Sequence, residues 1–226
     1  MRSLLLVTAI LTLPFSNALS SGLTLYGSQG SRSPLVNWYM NELGVDYEML
    51  PPRPNPHPFG QVPVLTDGDD VIFESGAILL HIANKFDKAF KPSHTPWVVW
   101  ANTCLDPICF KENERGQVIG TSLGKPNRKI DVLEEMLGQS DFLVSNEFSV
   151  ADCAVASYLN YVPLFNPDAS LSSIPNTVKY MSRMASRPAF VEAFGEGHAG
   201  LVQVKCEEFL NSSGGPAGEK KIFGIF

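Results

Sequence analysis

The most reactive side chains of this sequence are four cysteines, and their spacing argues against two kinds of chemistry. Cys104, Cys109, Cys153 and Cys206 form no C-x-x-C pair, no zinc-ligand pattern and no disulfide framework of the kind found in small secreted domains. A chain of 226 residues, 44% of them hydrophobic, can build its core without disulfides. We therefore expect no metal site and expect the thiols to be buried as small apolar residues.

Serines at the starts of two predicted helices offer another candidate chemistry. Ser33 precedes Pro34, a pair typical of a helix start. Ser75 follows Glu74 and opens a second stretch with helical spacing. The N–H groups at a helix N-terminus attract a carboxylate, but serine is also common there as a plain cap. The residues alone leave both interpretations open.

The region around these serines alternates between strand and helix patterns, which predicts an α+β domain over residues 22–88 with the order βαβ-ββα. Five prolines between Pro51 and Pro58 exclude a helix there. The turn Asp67–Asp70 predicts a hairpin between the last two strands. The predicted strands are Leu23–Tyr26, Val45–Leu50, Val62–Leu65 and Val71–Phe73, and the predicted helices are Ser33–Leu43, ended by Gly44, and Ser75–Phe86.

From Lys91 onward the pattern predicts only helices, which indicates an all-α domain over residues 91–210. Ser149 and Asp152 have the spacing of a capping box, which is a folding signal. The Ser/Gly/Pro-rich residues of 211–226 predict a flexible tail, and the apolar run at 222–226 has no explanation. The predicted helices are 94–113, 126–138, 149–162, 176–186, 188–195 and 201–210.

The first residues predict a targeting leader. Arg2 precedes an apolar stretch from Leu4 to Phe15, and small residues at Ser16 and Ala18 fit a signal-peptidase site. We expect a signal peptide at 1–18 and entry into the secretory pathway, followed by secretion or by plastid import through a two-part signal. If the leader does not function, the protein would remain cytoplasmic. The net charge of −6 and the absence of a Lys/Arg run argue against a nucleic-acid partner.

Three local motifs occur between residues 23 and 196. They are Leu25-Tyr26-Gly27 with Ser31-Arg32-Ser33; Pro58-Phe59-Gly60-Gln61-Val62-Pro63 with Phe73-Glu74-Ser75; and Phe148-Ser149-Val150-Ala151-Asp152 with Arg187-Pro188-Ala189. Together they resemble the glutathione S-transferase superfamily of the cytosolic type, and the stretch around Ser31 is most similar to the serine-using and the bacterial or cyanobacterial classes. The resemblance implies a thioredoxin-like N-terminal domain, a helical C-terminal domain and a homodimer.

The resemblance also implies a binding site for glutathione as co-substrate, with no cofactor. Val62 would pair through its backbone with the cysteine of glutathione, and a cis bond before Pro63 would turn Val62 toward the ligand. Ser75 would bind the γ-glutamyl carboxylate, and Glu74 would bind the ammonium group. Gln61 would contact the ligand backbone. A strand-starting proline without a ligand is the alternative interpretation of Pro63.

Three hydroxyls compete for the role of stabilising the glutathione thiolate. Ser31 is favoured because Ser33 is explained as a helix cap and Tyr26 as a core aromatic of the first strand. Arg32 would assist as a positive charge, or it would be an ordinary surface residue. The implied reaction is a detoxifying conjugation of glutathione to apolar electrophiles. The expected second-substrate pocket is lined by Trp97, Trp100, Ala101 and Cys104, although these side chains fit interhelical packing equally well.

The sequence departs from the family where a short helix normally precedes the Pro-Phe-Gly segment. Only residues 51–57 are available, so the usual clamp for the glycyl carboxylate is missing. Arg53 or His57 would have to replace it. A weakened glutathione site makes a non-catalytic binding or interaction module the alternative function.

Overall fold

The structure is a computed structural model that describes residues 22–212. The leader at 1–18 and the apolar run at 222–226 therefore lie outside the described residues. Within 22–212, no helix combines the length and the apolar composition needed to cross a bilayer.

The first half is a four-stranded sheet with two helices, in the predicted order βαβ-ββα. The sheet order is β2-β1-β3-β4, in which β1 and β2 are parallel and the other neighbouring pairs are antiparallel. Helix α1 ends at Gly44, whose φ of 62° is the left-handed conformation that glycine adopts without strain. The elements are β1 (Leu23–Tyr26), α1 (Ser33–Leu43), β2 (Glu48–Leu50), β3 (Val64–Asp67), β4 (Asp70–Phe73) and α2 (Ser75–Phe86).

The second half is helical apart from one short hairpin. A 3-10 turn at Pro92–His94 leads into α3, and a π-helical segment at Ala101–Leu105 joins α3 to α4. The elements are α3 (Thr95–Trp100), α4 (Asp106–Cys109), β5 (Lys111–Glu112), β6 (Val118–Gly120), α5 (Arg128–Gln139), α6 (Val150–Phe165), α7 (Pro175–Ala185), α8 (Pro188–Phe194) and α9 (Glu196–Ser212).

The predicted helix over 94–113 is wrong in its last part. Pro107 removes a backbone donor within the run, and the helix ends at Cys109. Phe110 is extended, and the side chain of Asn113 accepts hydrogen bonds from the N–H groups of Arg115 and Gln117. These bonds form the turn of the β5–β6 hairpin, which brings Glu112 and Val118 toward the first domain.

One apolar core runs through both halves, and Trp38 lies at their junction. Trp38 on α1 is fully buried, and its ring is 5.3 Å from Phe148 and 5.0 Å from Phe190. The Nε1–H of Trp38 donates to Glu42, which also pairs with Arg187. Residues Trp38 and Glu42, one helical turn apart, therefore make apolar and ionic contacts between α1 and the helical half. These contacts hold the middle and the end of α1 against α8 and against the residues just before α6 and α8.

Ser149 and Asp152 begin α6 as predicted from their spacing. The Asp152 carboxylate accepts hydrogen bonds from both the N–H and the hydroxyl of Ser149. It also accepts from the N–H of Leu143 and the hydroxyl of Tyr180. Because α6 is buried from Val150 to Pro163, these bonds fix a central helix from which the site below is built.

Candidate functional site

A cleft of about 410 Å³ lies where the sheet meets the start of α2. The peptide bond between Val62 and Pro63 is cis, as the family resemblance implies. Five of the predicted binding residues line this cleft, together with Arg32 and with residues of the proline-rich loop. The lining residues are Gln61, Val62, Pro63, Glu74, Ser75, Arg32, Pro52, Arg53, His57 and Gly60.

Glu74 and Ser75 form one wall of this first cleft. Glu74 has a φ of 68° and a ψ of 120°, a conformation that is rare and costly for a residue with a side chain. Ser75 is buried and begins α2, whose first N–H groups have no partner within the helix. This wall therefore combines a carboxylate for a cation with a helix N-terminus for an anion.

Ser75 is also tied to the helical half through Asn102. The Ser75 hydroxyl lies 3.3 Å from Asn102 Oδ1, and the Tyr158 hydroxyl donates to the same oxygen at 2.9 Å. The approach is so close that a Cβ on Gly76 would lie 2.6 Å from Asn102 Nδ2. Position 76 must therefore lack a side chain for α2 to meet Asn102 in this way.

The proline-rich loop contributes Arg53 and His57 to the first cleft. His57 is mostly buried, and its ring lies 4.9 Å from that of Phe73. Its Nδ1 accepts the N–H of Phe59 at 3.0 Å, so the neutral ring carries its proton on Nε2. Both side chains can therefore donate hydrogen bonds in the region where the family's usual helix is missing.

Of the three candidate hydroxyls, Ser31 and Ser33 contact each other, and Tyr26 lies apart. Ser31 Oγ lies 2.7 Å from Ser33 Oγ, donates to the Ser28 carbonyl at 2.8 Å and accepts the N–H of Ser33 at 3.1 Å. Ser33 is already inside α1, so the predicted cap role of Ser33 is wrong, and Arg32 stands at the N-cap position. Tyr26 is half-buried in β1 and lines neither of the two clefts at Arg32.

Ser31 lines a second, smaller cleft of about 160 Å³. Its walls come from the loop between β1 and α1, from α6 and from the residues around the β5–β6 hairpin, and three of the lining residues are aromatic. Phe110 and Phe165 meet edge to face, with ring centroids 5.7 Å apart. The lining residues are Gln29, Gly30, Ser31, Arg32, Phe110, Glu112, Val118, Tyr161, Leu164 and Phe165.

Arg32 is the one residue that lines both clefts. Its guanidinium forms an ion pair with Asp106. It also lies 5.4 Å from the ring centroid of Tyr158 and 5.9 Å from that of Phe110, which is within cation–π range. The contacts hold a permanent positive charge between a polar cleft and an aromatic one. That position suits an anion formed at the junction.

The predicted second-substrate residues do not line the cleft at Ser31. Trp97 and Trp100 line a separate apolar cleft of about 690 Å³ between α3 and α5, and Ala101 is fully buried. Cys104 lies beside Thr103 and Lys129, which lower the pKa of its thiol. Helix α3 turns this face toward α5, so the predicted pocket and the cleft at Ser31 are separate places in the structure.

Reasoning from spacing missed the aromatic wall and the residues that hold the site. Phe110, Tyr161 and Phe165 are far from Ser31 in sequence and reach it only through the fold. Asn102, Asp106 and Tyr158 are polar groups within otherwise apolar helical runs. A buried polar group needs a partner, and that requirement was the available signal.

Comparisons with known proteins follow the two-part architecture. The family model for the glutathione S-transferase N-terminal domain matches residues 21–84, and that for the C-terminal domain matches residues 98–188. Glutathione S-transferase 3 of Zea mays is 27% identical over 202 residues, covering 74% of this chain and 91% of the relative. A glutathione S-transferase of Hyoscyamus muticus is 28% identical, covering 76% and 97%.

Solved structures show the same fold. The glutathione transferase URE2P8 from Phanerochaete chrysosporium, with oxidized glutathione, has a TM-score of 0.64 at 20% identity, covering 81% of this chain and 98% of its own. A theta class enzyme from Xanthomonas axonopodis pv. citri, with glutathione bound, has a TM-score of 0.61 at 20% identity, covering 77% and 97%. The predicted thioredoxin-like and helical architecture is thereby confirmed.

Proposed function

Because the chain belongs to the glutathione S-transferase superfamily, we propose that it conjugates the glutathione thiolate to small apolar electrophiles. The observation that carries the proposal is the junction at Arg32, where a polar cleft suited to a charged tripeptide meets an aromatic cleft. Glutathione carries two carboxylates, one ammonium group and a thiol, so its site must offer several distinct partners.

The first cleft supplies these partners among its lining residues. The Val62 backbone would pair with the central cysteine, and the start of α2 with Ser75 would bind the γ-glutamyl carboxylate. Glu74 would bind the ammonium group. Arg53 and His57 would bind the glycyl carboxylate in place of the missing helix, since both offer hydrogen-bond donors at the other end of the cleft.

Thiolate formation would take place at the Arg32 junction. A free thiol has a pKa of about 8.5, and a decrease of about two units requires about 2.7 kcal/mol of preference for the thiolate. The Arg32 charge and the Ser31 hydroxyl would supply this stabilisation, whereas the candidate Tyr26 lines neither cleft. The thiol proton leaves to solvent, sulfur bonds to the electrophilic carbon, and the leaving group departs with the bonding electrons.

The size of the second cleft limits the electrophile. Its volume of about 160 Å³ is close to that of an engineered cavity of about 150 Å³ that binds benzene. A single aromatic ring therefore matches the space between the Phe110 and Phe165 walls, and a fused two-ring system would extend from the cleft into solvent. We expect a one-ring aryl halide to react faster than its two-ring analogue.

Calorimetric titration with glutathione and a conjugation assay with a one-ring aryl halide test the proposal. The protein is expected to bind glutathione and to release halide. Arg32→Ala should lower the rate about tenfold or more and raise the pH at which thiolate absorbance appears. Ser31→Ala should raise that pH with little change in binding, and unchanged thiolate absorbance would exclude Ser31. Lys111→Ala, on the exposed hairpin, is the control.

A non-catalytic binding module is the second candidate function. Two observations favour it: the short proline-rich loop, and the engagement of the Ser31 hydroxyl with Ser28 and Ser33. Glutathione binding without halide release from any aryl halide would support this function and contradict the first. No glutathione binding would leave only an interaction role.

We further propose that the protein is a homodimer and that it enters the secretory pathway. The apolar α3–α5 cleft and the exposed side chains of Val99 and Val132 beside it support an interface between two copies. Sedimentation equilibrium tests the dimer, with a monomer as the contradicting result. N-terminal sequencing of protein from its own cells tests cleavage near Ala18, and a retained Met1 would contradict it.

A further inference from the structure

Helix α6 carries two tyrosines, Tyr158 and Tyr161, that lie three residues apart and therefore near each other on the helix surface. Both are buried. The Tyr161 hydroxyl donates to the Ser31 carbonyl of the first domain, and the Tyr158 hydroxyl donates to Asn102, which contacts Ser75 at the start of α2. Neither belongs to the thioredoxin-like domain that forms the first cleft. Their contacts nevertheless end at opposite parts of the proposed reaction centre.

Tyr158 acts on the part of the site that would hold the γ-glutamyl group. Its hydroxyl donates to Asn102 Oδ1 at 2.9 Å, and Ser75 Oγ lies 3.3 Å from the same oxygen. Asn102 Nδ2 donates to the Val98 carbonyl at 2.8 Å, which fixes the orientation of the amide. Tyr158 thereby holds the oxygen that orients the Ser75 hydroxyl.

Tyr161 acts on the part of the site that would hold the sulfur. Its hydroxyl donates to the Ser31 carbonyl at 2.9 Å. On the other side of this loop, Gln29 Nε2 donates to the Ala193 carbonyl at 3.0 Å. The loop between β1 and α1 is therefore held from the helical half at two points, and its position sets where Ser31 and Arg32 stand.

Both hydroxyls remain protonated across any ordinary assay range. Burial raises the pKa of Tyr158 to about 12, and burial also raises the pKa of Tyr161. The two groups are therefore hydrogen-bond donors at every pH at which a glutathione thiol would titrate. Any pH dependence that a phenylalanine substitution introduces must then come from the groups they hold.

We propose that Tyr158 and Tyr161 are positioning residues with divided roles, in which Tyr158 sets the affinity for glutathione and Tyr161 sets the reactivity of its thiol. The inference rests on the proposed glutathione transferase function. The division follows from the hydrogen bonds, because Tyr158 acts through Asn102 on Ser75 of the α2 wall and Tyr161 acts directly on the Ser31 carbonyl. Neither tyrosine needs to touch glutathione for this.

The test compares Tyr158→Phe and Tyr161→Phe in the full chain, each of which keeps the ring and removes one hydroxyl. Tyr158→Phe should raise the glutathione Kd about fivefold and leave the pH midpoint of thiolate absorbance unchanged. Tyr161→Phe should raise that midpoint and lower kcat about fivefold, with the Kd unchanged. All measurements are made below each variant's unfolding transition.

Tyr180→Phe is the matched control, since it also removes a buried hydroxyl that donates to a partner, in this case Asp152. It should lower the Tm without a change in Kd, kcat or thiolate midpoint. If the wild type conjugates glutathione, two results would overturn the divided roles. One is that Tyr158→Phe and Tyr161→Phe have equal effects on the Kd and on the pH midpoint of thiolate absorbance. The other is that both variants lower only the Tm. Absence of conjugation by the wild type would overturn the proposed function and this inference with it.

Discussion

Glu74 combines an uncommon backbone conformation with a charge at the wall of the first cleft. Its φ of 68° is costly for a residue with a Cβ, by about 1–3 kcal/mol. Such a conformation persists only where the surrounding chain imposes it, and here the flanking β4 and α2 do so. The position thus places the carboxylate at the cleft at the expense of stability.

Glu74→Gly is therefore expected to have opposite effects on stability and on glutathione binding. Glycine adopts positive φ freely, so the free energy of unfolding should rise by about 1 kcal/mol. Loss of the carboxylate should weaken glutathione binding about tenfold. Urea denaturation and calorimetry measure the two quantities. Glu74→Ala removes the charge but keeps a Cβ in the strained conformation, so it should weaken glutathione binding equally and leave the free energy of unfolding unchanged. An equal increase in the free energy of unfolding in both variants would contradict backbone strain at Glu74.

At the scale of elements, α2 is attached to the sheet by Asp67 at the end of β3. The Asp67 carboxylate accepts hydrogen bonds from Lys85 Nζ at 2.5 and 2.7 Å and lies 2.7 Å from His81 Nε2. Lys85 and His81 are one turn apart on α2. The hydrogen bonds from Lys85, followed by that from His81, lower the pKa of Asp67 below 3.8. The attachment fixes the helix whose N-terminus forms a wall of the cleft.

A lowered carboxyl pKa means that the stabilisation is present above pH 3.8 and is lost as the pH falls through and below that value. Asp67→Asn should therefore cost about 1 kcal/mol at pH 7. The difference from the wild type should shrink toward zero near pH 2. Denaturant unfolding at both pH values measures it. Asp69→Asn in the exposed turn is the control, and a difference independent of pH would contradict the ionic attachment.

At the scale of the whole molecule, the two halves share their largest buried side chain. Trp38 packs against Phe148, Phe190 and Phe194 of the helical half, with centroid distances of 5.3, 5.0 and 6.2 Å. The Cys153 thiol also contacts the Leu35 carbonyl at 3.3 Å. The thioredoxin-like half alone would expose this face of α1 to water.

A fragment of residues 22–90 is therefore expected not to fold. Exposing the α1 face costs several kcal/mol, which is comparable to the whole stability of a domain this small. Far-ultraviolet circular dichroism with urea titration of the fragment tests this. The full chain is the positive control, and a cooperative unfolding transition in the fragment would contradict a shared core.

Much of the first domain could be predicted from sequence because proline and glycine mark its element boundaries. Ser33-Pro34 and Gly44 bound α1, and the prolines of residues 51–58 exclude a helix. The β5–β6 hairpin could not be read from strand patterns, since β5 has only two residues and both are charged. Its signal was the turn from Asn113 to Gly116.

The same contrast holds for the candidate site. Gln61, Val62 and Pro63 are contiguous and stand close before Glu74 and Ser75, so a local motif could place all five around one cleft. The cleft at Ser31 is formed with Phe110, Tyr161 and Phe165, which are distant from Ser31 in sequence. No local motif could therefore predict that these residues lie together. The spacing of Trp97 and Trp100 fitted a substrate pocket and interhelical packing equally well, and only the fold shows that they line a cleft separate from the one at Ser31.

The guanidinium of Arg32 forms part of the wall of both clefts, so binding in one cleft is thermodynamically linked to binding in the other. Any molecule seated among Phe110 and Phe165 shares this charge with whatever occupies the space beside Val62. If the first occupant alters the affinity for the second by some factor, the second must alter the affinity for the first by the same factor. The total free energy of binding both molecules is therefore the same whichever molecule binds first.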